Sequence, residues 1–135
     1  MERALKEEAR IVGRVRPGAA RGRQLGFPTA NLHLDSNQMQ DLDSGVYLGR
    51  VYLEGKCWGG VVNIGTRPTF GVGERVVEMH ILDFSGDLYE RQLEVEILDK
   101  LRQEKRFSNA DELIEQIEKD IVRARLLLND YSTDN

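Results

Sequence analysis

Residues 46–64 read VYLGRVYLEGKCWGGVVNI. Two apolar-rich runs, 46–53 and 57–64, alternate at period two, with a glycine-bearing turn between them. Their valine, tyrosine and tryptophan suit a pleated, half-buried surface. They predict two neighbouring antiparallel strands. The same alternation recurs at 10–15 (RIVGRV), 29–34 (TANLHL), 76–83 (VVEMHILD) and 88–98 (LYERQLEVEIL). No helical period interrupts these runs. About six short strands in a small chain are best served by closing on themselves, because closure leaves no exposed edge. The expected class is mainly β: a six-stranded antiparallel closed barrel followed by a long C-terminal α-helix.

Glycine and proline mark where the two parts meet. All 13 glycines lie at or before Gly86 and all 3 prolines at or before Pro68, so the last 49 residues contain neither. The front is a region of turns and short strands, and the back permits one long regular element. Ser108 is the expected N-cap, with Asp111 three residues on as a capping-box variant. Leu113, Ile114, Ile117, Ile121, Ala124 and Leu128 then recur at three- and four-residue steps. A helix over about 109–128 would be about 30 Å long and would cover an open side or end of the barrel.

At 135 residues, with 40% apolar and 31% charged side chains, the chain is expected to form a single domain over 1–135 with its core over about 11–128. No stretch approaches the roughly 18 apolar residues of a membrane span, so no membrane association is expected. The opening MERALKEEAR has no apolar segment of the secretory kind. Cys57 is the sole cysteine, which excludes an internal disulfide, and with only His33 and His80 beside it a structural zinc site is not expected. A buried, inert thiol next to Trp58 is the expectation for Cys57. The simplest compartment is a reducing cytoplasm.

The net charge of −4 is unevenly spread: residues 1–31 carry seven Lys/Arg against three Glu, leaving twelve against twenty for 32–135. Five arginines and no acid fall within 10–31. A basic patch on an acidic protein suits a small anionic ligand better than a nucleic acid, which wants a broader basic face. A solvated loop is the plainer alternative.

Three segments could carry chemistry. In 18–31, GAARGRQLGFPTAN, Gly18, Gly22 and Gly26 allow sharp turns and close approach to a ligand. Arg21 and Arg23 match phosphate oxygens. Thr29 and Asn31, spaced i, i+2, share one face of a strand and offer hard oxygens suited to a Mg2+ that keeps waters and phosphates as its other ligands. Local turn satisfaction is the competing role for both. The segment is not a P-loop: after Gly13 and Gly18, Ala19 and Ala20 stand where Lys and Ser/Thr are required. Gly71 and Gly73 open a G-x-G that fails at Val76 and reads as a hairpin. In 76–83, Val77, Met79 and Ile81 form a core face, while Glu78 and His80 point the other way. Glu78 is either a solvated strand carboxylate or a general base for a substrate hydroxyl. In 101–107, LRQEKRF, charges flank Phe107. The segment reads as a connecting loop, or as a flap whose ring covers a flat ligand.

These segments together resemble the riboflavin kinase (flavokinase) family. The resemblance rests on GRVRPGAARGRQLGFPTANL (13–32), GVYLGRVYL (45–53), GGVVNIGTRPTF (59–70), VEMHILDFSGDLY (77–89) and LRQEKRFSNADELIEQIEKDIVRAR (101–125). It is of the bacterial type, in which this domain is the C-terminal half of a bifunctional FAD synthetase. The chain is therefore expected to be either a monofunctional kinase or a domain otherwise linked to an FMN adenylyltransferase. The resemblance implies a six-stranded barrel with a packed helix, and transfer of the ATP γ-phosphate to the riboflavin 5′-hydroxyl to give FMN and ADP. It implies Mg2+ and nucleotide phosphates on Thr29 and Asn31, and a nucleotide loop through Gly18, Arg23 and Gly26. It further implies Glu78 as catalytic base and a flavin-bordering flap containing Arg102, Glu104 and Phe107. A flavin- or nucleotide-binding barrel without catalysis is the alternative. Two departures stand out: 35–44 lacks the family's proline, and Glu90 replaces a glycine, which is expected to force a different turn.

Overall fold

The structure, a computed structural model, describes residues 10–16, 30–33, 43–69, 72–84, 88 and 90–132. Among these lie strands β1 (Arg10–Arg16), β2 (Ala30–His33), β3 (Gly45–Leu53), β4 (Lys56–Thr69), β5 (Val72–Ile81) and β6 (Gln92–Arg102), then helix α1 (Ala110–Ser132). The strands form a closed barrel in the order β1-β2-β5-β4-β3-β6, and every pairing is antiparallel. The expected fold class is the observed one.

The period-two pattern closes the barrel. Ile11 and Val15 on β1, Leu32 on β2, Val51 on β3, Val62 on β4 and Met79 on β5 are buried and meet in one interior cluster. A second cluster lies outside the wall, beneath α1: Val46, Leu48, Leu82, Leu98, Leu101 and Ala124, with Ile121 and Leu128 packed on it. Two irregularities in the β3–β6 ladder create its β6 part. Gly49 is opposite Ile97 and Leu48 opposite Asp99, which skips Leu98; Tyr47 is opposite Lys100 and Val46 opposite Arg102, which skips Leu101. Each bulge turns one leucine toward the helix. Burying a leucine contributes about 1.5–3 kcal/mol, more than the roughly 0.5–1.5 kcal/mol net of the hydrogen bond that a bulge leaves unmade. The helix also approaches closely because β4 has no side chain at Gly59: a Cβ there would lie 2.0 Å from Cδ1 of Leu128.

Several boundaries differ from expectation, for physical reasons. The β4–β5 ladder continues past the apolar pattern to Thr69 opposite Val72, so Gly73 is ladder, opposite Pro68. The last strand starts at Gln92 rather than at Leu88, because a turn comes first: the Arg91 N–H donates to the Leu88 carbonyl at 2.9 Å. The helix cap is Asn109, not Ser108. Its Oδ1 accepts the Glu112 N–H at 2.9 Å, while Glu112 Oε1 accepts the Ser108 N–H at 3.0 Å. Glu112 thus takes the part expected of Asp111. Cys57 is exposed rather than buried. Desolvation raises its thiol pKa, Arg50 opposes this and Glu96 adds to it, a balance that works against the thiolate form.

Glu90 does not force a different turn. It adopts φ +66° itself and donates its N–H to the Val15 carbonyl at 2.9 Å. Its exposed carboxylate reaches Arg16 at 3.4 Å, a contact of little worth in water. A left-handed non-glycine residue costs about 1–2 kcal/mol, and a glycine gives back roughly 0.5–1 kcal/mol in unfolded-chain entropy. Glu90→Gly is therefore expected to stabilise the chain by about 0.5–1 kcal/mol. Urea melts check this, and a lower midpoint at unchanged slope would refute the strain at this turn.

Candidate active site

The pairing register brings distant outward residues into one row. Arg16 is opposite Asn31, Asn31 opposite Glu78, Glu78 opposite Asn63, Asn63 opposite Val46, and Val46 opposite Arg102. Directly opposed residues share a face, so the row runs round the outside of the barrel. Glu78 is held there by its neighbours in sequence: Val77 and Met79 are each 1% exposed and face inward. Asn31 is fixed the same way between buried Ala30 and Leu32.

Beside this row lies a cleft of about 250 Å³ between the barrel wall and α1. Val46, Val61, Asn63, Glu78 and His80 form its barrel side. Leu113, Ile117 and Ile121 form the helix side, and Arg102 at the end of β6 lines the cleft together with Glu104 and Phe107 of the connecting segment. The apolar helix face and Phe107 suit a flat ring, and the polar row suits groups at its edge. Glu104 is seated over bare backbone, since a Cβ on Gly65 would lie 2.5 Å from its Oε2.

The structure thus gathers Glu78, Arg102, Glu104 and Phe107 around one cleft and sets Asn31 next to Glu78. Gly18, Arg23, Gly26 and Thr29 lie outside the described residues. Asn31 Oδ1 is buried and accepts no hydrogen bond among the described residues. An unsatisfied, buried carboxamide oxygen is a costly feature and a fitting ligand for a hard cation. No group of three or more His, Cys, Asp or Glu side chains that could enclose a metal by itself occurs among the described residues. A single carboxamide oxygen suits an ion that takes its other ligands from phosphates and water.

Asp120 is the residue that sequence reasoning missed. It is 6% exposed and accepts from Arg102 Nε at 2.9 Å and Nη2 at 2.8 Å. Gln116 Nε2 donates at 3.0 Å to Oδ1, the oxygen that also accepts from Arg102 Nε. Arg102 Nη1 donates to the Gln103 carbonyl at 3.0 Å, and its guanidinium carbon stands 6.0 Å from the Phe107 ring centre. The guanidinium thus ties β6 to α1 and props the aromatic wall of the cleft. The available signal was a lone acid on the apolar side of the helix, one residue before Ile121.

A wider hollow of about 650 Å³ lies elsewhere on the surface, around Arg50, Tyr52, Trp58 and Arg125. Its charges are matched: Arg125 holds Asp83 through two bonds of 2.9 and 3.0 Å, and Glu96 accepts from Tyr52 at 2.9 Å with Arg50 at 3.7 Å. It has none of the residues singled out above for phosphate, base or flavin. Removing the buried carboxylate, Asp120→Ala, strands Arg102 and is expected to destabilise the chain by about 3 kcal/mol. Denaturant melts measure this, and a change below about 0.5 kcal/mol would mean that the pair does not hold the helix.

Comparison with known proteins bears on the whole chain. A family profile described as Flavokinase: Riboflavin kinase matches residues 5–128. A bifunctional riboflavin kinase/FMN adenylyltransferase from Pseudomonas fluorescens is 46% identical over 127 residues, covering 93% of this chain and 40% of that protein. The chain spans about two fifths of the length of such curated relatives. Among solved structures, a riboflavin kinase from Trypanosoma brucei aligns with TM-score 0.65 and 26% identity, over 89% of this chain and 79% of that one. A chain described as a macrolide-efflux protein from Streptococcus pneumoniae aligns with TM-score 0.76 and 33% identity, over 86% of this chain and 38% of that one. With the family profile spanning nearly the entire sequence and the barrel, row and cleft in place beneath it, the chain belongs to the riboflavin kinase family.

Proposed function

We propose that this chain transfers the γ-phosphate of ATP to the 5′-hydroxyl of riboflavin, yielding FMN and ADP. The observation that carries the reading is the opposition of Asn31 and Glu78 on adjacent strands at the edge of a cleft with apolar walls. The isoalloxazine ring lies between the α1 face and Phe107, with Glu104 at its polar edge and Arg102 holding the wall. The ribityl tail then runs along the row to Glu78. A primary hydroxyl is a poor nucleophile at neutral pH, and Glu78 accepts its proton as the oxygen attacks phosphorus. Phosphoryl transfer needs positioning and charge neutralisation more than covalent help.

Asn31, with Thr29 two residues before it, would hold Mg2+ together with the nucleotide phosphates. Such a cation supplies neutralisation of the triphosphate charge. The segment carrying Gly18, Arg23 and Gly26 would cradle the nucleotide. The relatives that join this domain to an FMN adenylyltransferase support a setting in which FMN passes on to adenylylation. A cytoplasmic location fits those substrates. No helix among the described residues is long and apolar enough to cross a membrane.

Incubation with riboflavin, ATP and Mg2+, followed by chromatography for FMN, tests the activity. Flavin binding without FMN would favour the non-catalytic reading. Glu78→Gln is expected to lower turnover by about 100-fold or more while leaving ATP and flavin affinities nearly intact; turnover near wild type would remove Glu78 from the chemistry. Asn31→Ala is expected to weaken Mg-ADP binding, read by calorimetry with Mg2+ present and absent. Equal affinity for Mg-ADP in the variant and the parent would dismiss Asn31 as a ligand.

A further inference from the structure

We infer that Asn63 is a positioning residue for Glu78, an inference that rests on the base reading above. Glu78 has an asparagine directly opposite it on each side: Asn31 on β2 and Asn63 on β4. The two flanks are not equivalent. Asn31 presents a buried oxygen without a hydrogen bond among the described residues, a group that calls for a cation. Asn63 instead lines the cleft together with Glu78 and is half-buried between inward-facing Val62 and Ile64, both 0% exposed.

Directly opposed Cβ atoms stand about 4.5–5.5 Å apart, within reach of a carboxamide-to-carboxylate hydrogen bond. With substrate bound, Asn63 Nδ2–H would donate to one Glu78 oxygen, fixing the side-chain rotamer and leaving the other oxygen for the acceptor hydroxyl. A neutral donor suits this task. A lysine or arginine there would compensate the carboxylate and blunt its basicity, whereas an amide orients it without supplying charge. Orientation is also what the site most needs, since a base acts only within hydrogen-bond reach of the proton it takes. The opposed strands β4 and β5 carry an uninterrupted ladder from Gly60–Ile81 to Thr69–Val72, so donor and acceptor sit on one rigid hairpin.

The test is a double-mutant cycle on the intact chain, with FMN formation measured across riboflavin and ATP concentrations and a thermal melt for each variant. Asn63→Ala is expected to lower kcat about 10-fold, a part of the roughly 100- to 10,000-fold that a general base contributes, with KM for both substrates within about twofold. Asn63→Ser, which keeps a donor on a shorter arm, recovers part of the loss and serves where the alanine variant does not fold. In the Glu78→Gln background Asn63→Ala costs less than about twofold, because nothing remains to be positioned. Equal losses in both backgrounds, or an effect confined to KM, overturn the inference and leave Glu78 as base untouched. Wild-type turnover in Glu78→Gln alone overturns the reading beneath it.

Discussion

One cross-strand register governs this molecule. β5 sits between β2 and β4 with Glu78 opposite Asn31 on one side and Asn63 on the other. A slip of one residue would exchange the faces, putting Glu78 among the core side chains and Met79 on the surface. The interior forbids it. Val77 and Met79 are packed against side chains from the other strands, and exposing both would forfeit several kcal/mol at about 1.5–3 kcal/mol per side chain. The hydrophobic pattern therefore holds the polar row in place although no polar contact is needed to define it. Closure reinforces the register, because each strand is constrained by two neighbours.

The helix completes the cleft by a different kind of contact. Its apolar stripe needs a surface, and the barrel provides one where Leu98 and Leu101 are turned outward by bulges. Gly59 lets Leu128 settle on β4. These contacts are non-directional and would tolerate sliding. Arg102 and Asp120 add direction, since a two-pronged guanidinium–carboxylate pair fixes both distance and angle. Burying such a pair is a weak source of net stability, because desolvation consumes much of the attraction. Its consequence here is geometric: the same guanidinium stands beside Phe107, so one side chain bears on both helix docking and cleft shape.

The arrangement suits the family's chemistry. A rigid wall carries the proposed base and metal ligand, while the segment 103–109 connecting β6 to α1 borders the cleft from the other side. Residues on sheets are placed more reproducibly than residues on loops, and phosphoryl transfer rewards placement. The wall is a barrel exterior, so the interior remains free to be an apolar core.

Most of the architecture was legible in the chain. Period-two alternation marked six strands, the glycine-free tail marked the helix, and Val77, Met79 and Ile81 opposite Glu78 and His80 gave the correct faces of β5. Local pattern suffices for these features because side-chain direction along a strand or helix follows from its own period. The motifs around Asn31, Glu78 and Phe107 also sufficed to place the chain in its family. Other features lay beyond local pattern. Which strands adjoin, that Asn31 and Asn63 flank Glu78, that two bulges aim leucines at the helix, and that Arg102 is bound to Asp120 rather than free all depend on pairs far apart in sequence. No single segment encodes such a pair. It exists only once closure of the barrel and docking of the helix have chosen the register that buries the most apolar surface.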